Sequence, residues 1–252
     1  MLRVIISGLS GRMGKEVRRL IDTEPGFELV AGFDVASGVE NGVPVFSGDC
    51  LTDAPKADVL IDFSNHIFVP IVLKYCAEKS LPVVVATTAL DEDAADLMKE
   101  MAKTVPVFHS ANMSLGVNIT AKMAQIAAPA LEDSFDIEIV EAHHNQKKDA
   151  PSGTAILLAD AINDSLSEKK EYTYGRSGRE CARETGEIGI HAVRGGTLPG
   201  QHTIIFAGPD EVIEITHTAY SRSVFASGAL KAASWVSSRE PGLYNMNDLL
   251  AY

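Results

Sequence analysis

Apolar residues change their rhythm part-way along the chain. Over the first 110 positions, compact runs rich in Val, Ile, Leu and Phe lie at 2–7, 27–33, 57–63, 82–86 and 105–108. Runs of that length read as strands with both faces buried. Between them, apolar residues recur at helical spacing: Val17, Leu20 and Ile21 after the first run, then stretches at 66–79 and 91–103. Strands alternating with helices predict a parallel sheet covered by helices on both faces.

Beyond residue 112 the pattern differs. Positions 116–131 predict a long helix, 135–140 alternate as a strand, and 152–166 predict a second helix. Pro151 at the turn and Ser152 or Thr154 in the first helical turn are start signals for that helix. Residues 168–184 are polar and charged and are expected to form a surface excursion. Three alternating runs follow at 188–193, 203–206 and 212–218, then a helix at 223–236 and a short tail. Helices grouped with consecutive strands predict an α+β unit with an antiparallel or mixed sheet.

The first strand runs into Gly8-Leu9-Ser10-Gly11-Arg12-Met13-Gly14, and the second ends at Asp34. Strand, glycine loop, helix, strand and acid is the order of a dinucleotide site. Glycines let the backbone approach a pyrophosphate, the helix start stabilises its charge, and the acid accepts hydrogen bonds from a ribose diol. The spacing is G-x-x-G-x-x-G rather than G-x-G-x-x-G. Ser64, Thr87, Thr88 and Asn112 all fall at predicted strand ends, where ligands of such sheets bind.

Composition narrows the reading. With 22 Lys+Arg against 34 Asp+Glu, the net charge is -12, which argues against a nucleic-acid or anionic-membrane surface. No apolar run is long enough to span a bilayer. The chain opens directly as a strand, so no signal peptide is expected. Cys50, Cys76 and Cys181 lie far apart without a C-x-x-C, as structural thiols in a reduced, cytoplasmic protein.

The densest chemistry lies between the strand at 135–140 and the helix at 152–166: Glu141-Ala142-His143-His144-Asn145-Gln146-Lys147-Lys148-Asp149-Ala150-Pro151-Ser152-Gly153-Thr154-Ala155. A helix start with unpaired N–H groups, two imidazoles and Lys147 suit a small carboxylate that also needs a proton. Adjacent histidines on a strand point to opposite faces, a poor pair for one metal, so no metal site is expected. Ser152 lacks a nucleophile elbow. Acid–base chemistry beside a nicotinamide is the better reading, with Lys147 or His143 supplying the proton.

That stretch resembles the signature of the dihydrodipicolinate reductase family, of bacterial and plant lysine and diaminopimelate synthesis. Gly8 to Gly14 is similar to the family's glycine loop, Ala86-Thr87-Thr88 to its G-T-T segment, and Ser110-Ala111-Asn112-Met113 to its A-A-N-F segment. Arg194, Gly196, Gly200 and His202, and the run Glu214-Ile215-Thr216-His217, also fit. The resemblance implies an α/β Rossmann-type NAD(P)-binding domain over 1–114 and 222–252. It implies an α+β substrate-binding and tetramerisation domain with a mixed sheet over 115–221, in a homotetramer.

It further implies reduction by NADH or NADPH of a cyclic dicarboxylate, 4-hydroxy-tetrahydrodipicolinate, to tetrahydrodipicolinate after loss of water. By the family's pattern His143 is the proton donor/acceptor and Lys147 the proton donor. His144, Ser152, Gly153 and Thr154 would bind substrate. Gly8, Leu9, Ser10, Gly11, Arg12, Met13, Asp34, Ala86, Thr87, Thr88, Ser110, Ala111, Asn112 and Met113 would hold the cofactor. Two departures matter. Ala86 replaces a usual glycine, which implies a less close approach to the nicotinamide. Val35 stands where some members carry an arginine for a 2′-phosphate, which implies NADH use at least as good as NADPH unless Arg12 compensates. Two other readings stay open: an oxidoreductase of the same fold acting on another small dicarboxylate, and an NAD(P)-sensing module without turnover. A sensor has no need of the proton donors His143 and Lys147.

Overall fold

The first apolar run, Leu2–Ser7 (β1), is the middle of an eight-stranded sheet. The computed structural model describes residues 1–251. After β1 come α1 (Arg12–Ile21), β2 (Phe27–Phe33), β3 (Gly38–Glu40), β4 (Val43–Phe46) and a 3-10 turn (Gly48–Asp53). Then follow β5 (Val59–Asp62), α2 (Val69–Lys79), β6 (Val83–Val85), α3 (Glu92–Met101) and β7 (Pro106–His109). The second half holds α4 (Leu115–Leu131), β8 (Asp136–His143), α5 (Gly153–Ser165), β9 (Glu171–Tyr174), β10 (Glu187–Arg194), β11 (Gly200–Ala207) and β12 (Val212–Ala219). Finally come α6 (Ser223–Val236), β13 (Gly242–Tyr244) and α7 (Met246–Leu250).

These elements form two units, one of Met1–Leu115 with the chain from Arg222 onward, the other of Gly116–Ser221. In the first, the strand order is β13-β7-β6-β5-β1-β2-β4-β3. Every pairing is parallel except β3 with β4. Alternation along β1 sends Val4 and Ile6 to one face and Ile5 to the other. Val4 and Ile6 pack with Ala229, Leu230 and Ala233 of α6, and Ile5 with Val72 and Leu73 of α2. All are fully buried or nearly so, and each large apolar side chain of this kind contributes roughly 1.5–3 kcal/mol of transfer free energy. The chain leaves β1 toward β2 on one side and reaches β5 on the other. The strand order therefore reverses at β1, and loops after the carboxyl ends of β1, β5 and β6 diverge around a crevice.

In the second unit the order is β12-β11-β8-β10-β9, with β10 parallel and β11 antiparallel to β8. The sheet is mixed. Ile137 and Ile139 of β8 pack against α4 and α5 through Ala124, Ala128, Leu158 and Ile162.

Residues 168–184 differ from their sequence reading. They contain β9, which pairs parallel to β10. Arg176 and Arg183 fold back onto Glu138 of β8, with Arg176 Nη2 2.9 Å and Arg183 Nε 3.0 Å from Oε1. Polar composition signalled a loop because these charges are satisfied by residues far away in sequence. The strands β3, β4 and β13 and the helix α7 were also absent from the periodicity, being only three to five residues long.

Candidate active site

The glycine loop leaves β1 in a conformation that only glycine takes easily. Gly8 has φ +78°, and a Cβ there would lie 2.6 Å from the Phe63 carbonyl oxygen. A Cβ on Gly14 would lie 2.1 Å from the Gly8 carbonyl oxygen, so the first turn of α1 can lie flat against the loop. This is a cradle that side chains would fill, and it fits a dinucleotide pyrophosphate. Asp34, one residue past β2, accepts the Ser10 N–H at 2.8 Å through Oδ2 and the Val35 N–H at 2.8 Å through Oδ1. Gly8, Gly11 and Asp34 line one pocket with Ser64 and Phe68. Leu9 turns its side chain into the core, fully buried.

A larger cavity of about 570 Å³ opens over the ends of β5, β6 and β7. Arg12, Met13, Ala86, Thr87, Thr88, Ala111, Asn112 and Met113 all line it. Ser110 lies beneath, with its hydroxyl donating to the Asn112 carbonyl at 2.8 Å and fixing that turn. The sequence-expected cofactor residues of this unit thus gather along one edge of one sheet. The pocket at Asp34 lies on the β2 side of β1 and the larger cavity on the β5–β7 side, since β2 and β5 flank β1.

In the second unit, alternation along β8 puts Ile137, Ile139, Glu141 and His143 on the helix-covered face. Glu141 is fully buried. Arg194, the last residue of β10, grips it with Nη1 at 2.7 Å and Nη2 at 2.6 Å. The Glu141 carboxylate also accepts the Ser152 N–H at 3.0 Å and pairs with His143 Nδ1 at 2.6 Å. Burial alone would raise the Glu141 carboxyl. Arg194, His143 and the Ser152 amide together hold it below the usual glutamate range. For His143, burial lowers the imidazole, and the Glu141 contact pulls only part of the way back.

Ser152 is the N-cap of α5, its Oγ accepting the Ala155 N–H at 3.1 Å. The same Oγ meets His202 Nε2 at 2.7 Å. His202 is buried on β11, directly opposite His217 of β12. Burial lowers it to about 4, with the nearby His143 adding to the effect. Lys147 Nζ lies 2.9 Å from Asp149 Oδ2. His144 sits in the turn beyond β8, its Nδ1 accepting the Gln146 N–H at 3.2 Å.

The sequence reading gives no role to Glu141, Arg194, His202 or Asp149, although all four meet its site residues here. The signal for Glu141 was present, since an acid two positions before His143 on a strand shares its face. Nothing in spacing links either to Arg194, which stands 53 positions away. Chemically, the arrangement can hold one imidazole in a fixed tautomer beside a capped, positively polarised helix start, with an ammonium group near by. Among the described residues no group of His, Cys, Asp and Glu could hold a metal ion.

Residues 2–113 match the family model for the dihydrodipicolinate reductase N-terminus and residues 116–250 the model for its C-terminus. A 4-hydroxy-tetrahydrodipicolinate reductase of Caldanaerobacter subterraneus subsp. tengcongensis is 52% identical over 250 residues, covering 99% of this chain and 98% of that protein. One of Clostridium tetani is 45% identical, covering 99% and 97%. Among solved structures, a dipicolinate-bound dihydrodipicolinate reductase of Paenisporosarcina sp. TG-14 aligns with a TM-score of 0.80 at 26% identity, over 98% of this chain and 99% of that one.

Proposed function

The chain belongs to the dihydrodipicolinate reductase family, and from that premise we propose how its residues share out the reaction. The reaction is the NAD(P)H-dependent reduction of 4-hydroxy-tetrahydrodipicolinate to tetrahydrodipicolinate in lysine and diaminopimelate biosynthesis. Bound NADH or NADPH supplies the hydride. In our reading the unit with the glycine loop holds it. Gly8 to Met13 cradle the pyrophosphate, Asp34 takes the adenosine ribose, and Ala86 to Thr88 with Ser110 to Met113 line the nicotinamide end. Leu9 takes part through its backbone.

The other unit binds the cyclic dicarboxylate. The Gly153–Thr154 start of α5 and His144 hold its carboxylates, drawn by the positive helix end. Ser152 keeps that helix start in place through its cap. Glu141, gripped by Arg194, orients His143 through Nδ1 and leaves Nε2 as the nitrogen that takes or gives a proton. Lys147 donates a proton to the substrate. The observation that carries this reading is the buried Glu141 carboxylate paired to His143 Nδ1 at 2.6 Å. A strand-end histidine with no chemical task has no need of such a fixed tautomer.

The test is steady-state kinetics of His143→Gln and Lys147→Met. Each is expected to lower kcat by roughly 10²–10⁴, with dinucleotide affinity unchanged. Full turnover in both would overturn the roles given to them. A cytoplasmic homotetramer belongs to the same proposal. It is supported by the family resemblance and by the exposed Ile119, Met123 and Ile126 along α4. Sedimentation velocity is expected to give a mass four times 27.0 kDa, and a monomer would remove this part. Among the described residues no helix is long and apolar enough to cross a membrane.

A further inference from the structure

Asp62, the last residue of β5, is fully buried. A carboxylate out of water is costly unless its charge is met. Among the described residues no cation pairs with it; hydroxyls do. Ser64 Oγ donates to Oδ1 at 2.6 Å, and Thr87 Oγ1 donates to Oδ2 at 2.6 Å. Ser7, its register partner on β1, adds a third buried hydroxyl, close by but outside ordinary hydrogen-bond geometry. Burial pushes the Asp62 carboxyl up, and the hydroxyls together with the Ser64 backbone N–H pull it back only in part. Packing gives no reason for an acid here, since Leu60 on the same face of β5 sits in an apolar core with Val72 and Cys76.

The reason lies above it. Ser64 and Thr87 both line the 570 Å³ cavity over β5–β7. A hydroxyl has one proton and two lone pairs. When that proton goes to Asp62, only lone pairs remain to face the cavity. We propose that Asp62 is a positioning residue: it fixes the Ser64 and Thr87 hydroxyls as acceptors for a hydrogen-bond donor on the nicotinamide riboside. This rests on the placement of the nicotinamide half in that cavity. The riboside has two kinds of donor, the carboxamide N–H and the ribose O–H, and analogues separate them.

Asp62→Asn keeps the shape and reverses the logic. The amide NH2 must donate to one of the hydroxyls; the displaced Thr87 proton then turns into the cavity and meets a donor with a donor, whereas that of Ser64 can also turn to the Asn65 carbonyl 3.4 Å away. The test is calorimetric affinity of the purified chain for three reduced dinucleotides. They are NADH, its 3-acetylpyridine analogue, which lacks the carboxamide N–H, and an analogue deoxygenated on the nicotinamide ribose. Wild-type protein is expected to bind NADH about tenfold tighter than the analogue that lacks the recognised donor, the scale of one hydrogen bond left unmade. Asp62→Asn is expected to weaken NADH by about the same factor and to bind that analogue as wild type does.

Equal weakening of all three ligands, or of none, would overturn the proposal in favour of a purely structural acid. If Ser64→Ala and Thr87→Val also leave every affinity unchanged, the placement of the nicotinamide is what fails. Should Asp62→Asn not fold, Thr87 carries the test. Thr87→Ser must keep the discrimination between NADH and the analogue, and Thr87→Val must lose it; identical behaviour of the two overturns the proposal.

Discussion

Asp34 shows how one side chain sets a preference. Both of its oxygens already accept backbone N–H groups of the loop and of its own turn, so the carboxylate is held in the pocket it shares with Gly8 and Gly11, where we propose the adenosine ribose binds. A 2′-phosphate placed there would meet a fixed negative charge. Arg12, the residue that could compensate, lines the cavity over β5–β7 rather than the Asp34 pocket, and the Arg18 guanidinium donates to the carbonyls of Glu40 and Asn41. Val35, 86% exposed, brings no charge. NADH is therefore expected to be used at least as efficiently as NADPH. Asp34→Ala is expected to shift the ratio of kcat/KM values toward NADPH by roughly tenfold, or about 1.4 kcal/mol. A wild-type preference for NADPH would count against this account. Glu141 makes the complementary point about legibility. Its neighbour His143 stood out by residue type, whereas its own importance depends on burial and on Arg194, which spacing does not reveal.

Among the elements, α6 is where helix propensity and packing disagree. Glycine inside a helix is ordinarily worse than alanine by ~0.5–1 kcal/mol. At Gly228, however, an added Cβ would lie 1.7 Å from the Met113 carbonyl oxygen. That is backbone, which cannot swing aside as a side-chain tip can. Overpacking wins, and Gly228→Ala is expected to destabilise by ~1–3 kcal/mol in urea unfolding. A neutral or stabilising result would mean that α6 can lift from the segment before α4 without cost. The periodicity of α6 was plain in the sequence, and so were β1, β2 and α4. Short elements such as β9 and β13 were not, because they are held by strand neighbours and by ion pairs rather than by an apolar rhythm of their own.

At the scale of the molecule, acid should weaken the unit that carries the histidines. His202 titrates at about 4 when folded, mainly because it is buried, against about 6.5 when unfolded. Burial also lowers His143 and His217. For a base held low in the fold, the unfolded chain binds more protons between those two values, so stability is fully present above about 6.5 and is lost as pH falls toward 4. His202 alone accounts for roughly 2 kcal/mol at pH 5. Thermal melts at pH 7 and pH 5 are expected to show that loss, and His202→Gln is expected to reduce it. Coincident melts would exclude it. Glu141, also held low in the fold, acts in the same direction at lower pH: its contribution is present above the ordinary glutamate value and is lost as pH falls below it.

Local sequence was enough for the two periodicities, hence a parallel sheet in one half and an antiparallel or mixed one in the other; the pairing of β8 with β10 and β11 made it mixed. The sequence by itself also determined the chemistry-bearing stretch from Glu141 to Thr154, because local rhythm, caps and glycines act over a few residues. Tertiary structure alone decided which acid meets which base: Arg194 on Glu141, His202 on Ser152, and the Ser64 and Thr87 hydroxyls on Asp62. Electrostatic and hydrogen-bond partners depend on distance in space and on exclusion of water. Both are fixed only when strands far apart in the chain lie side by side.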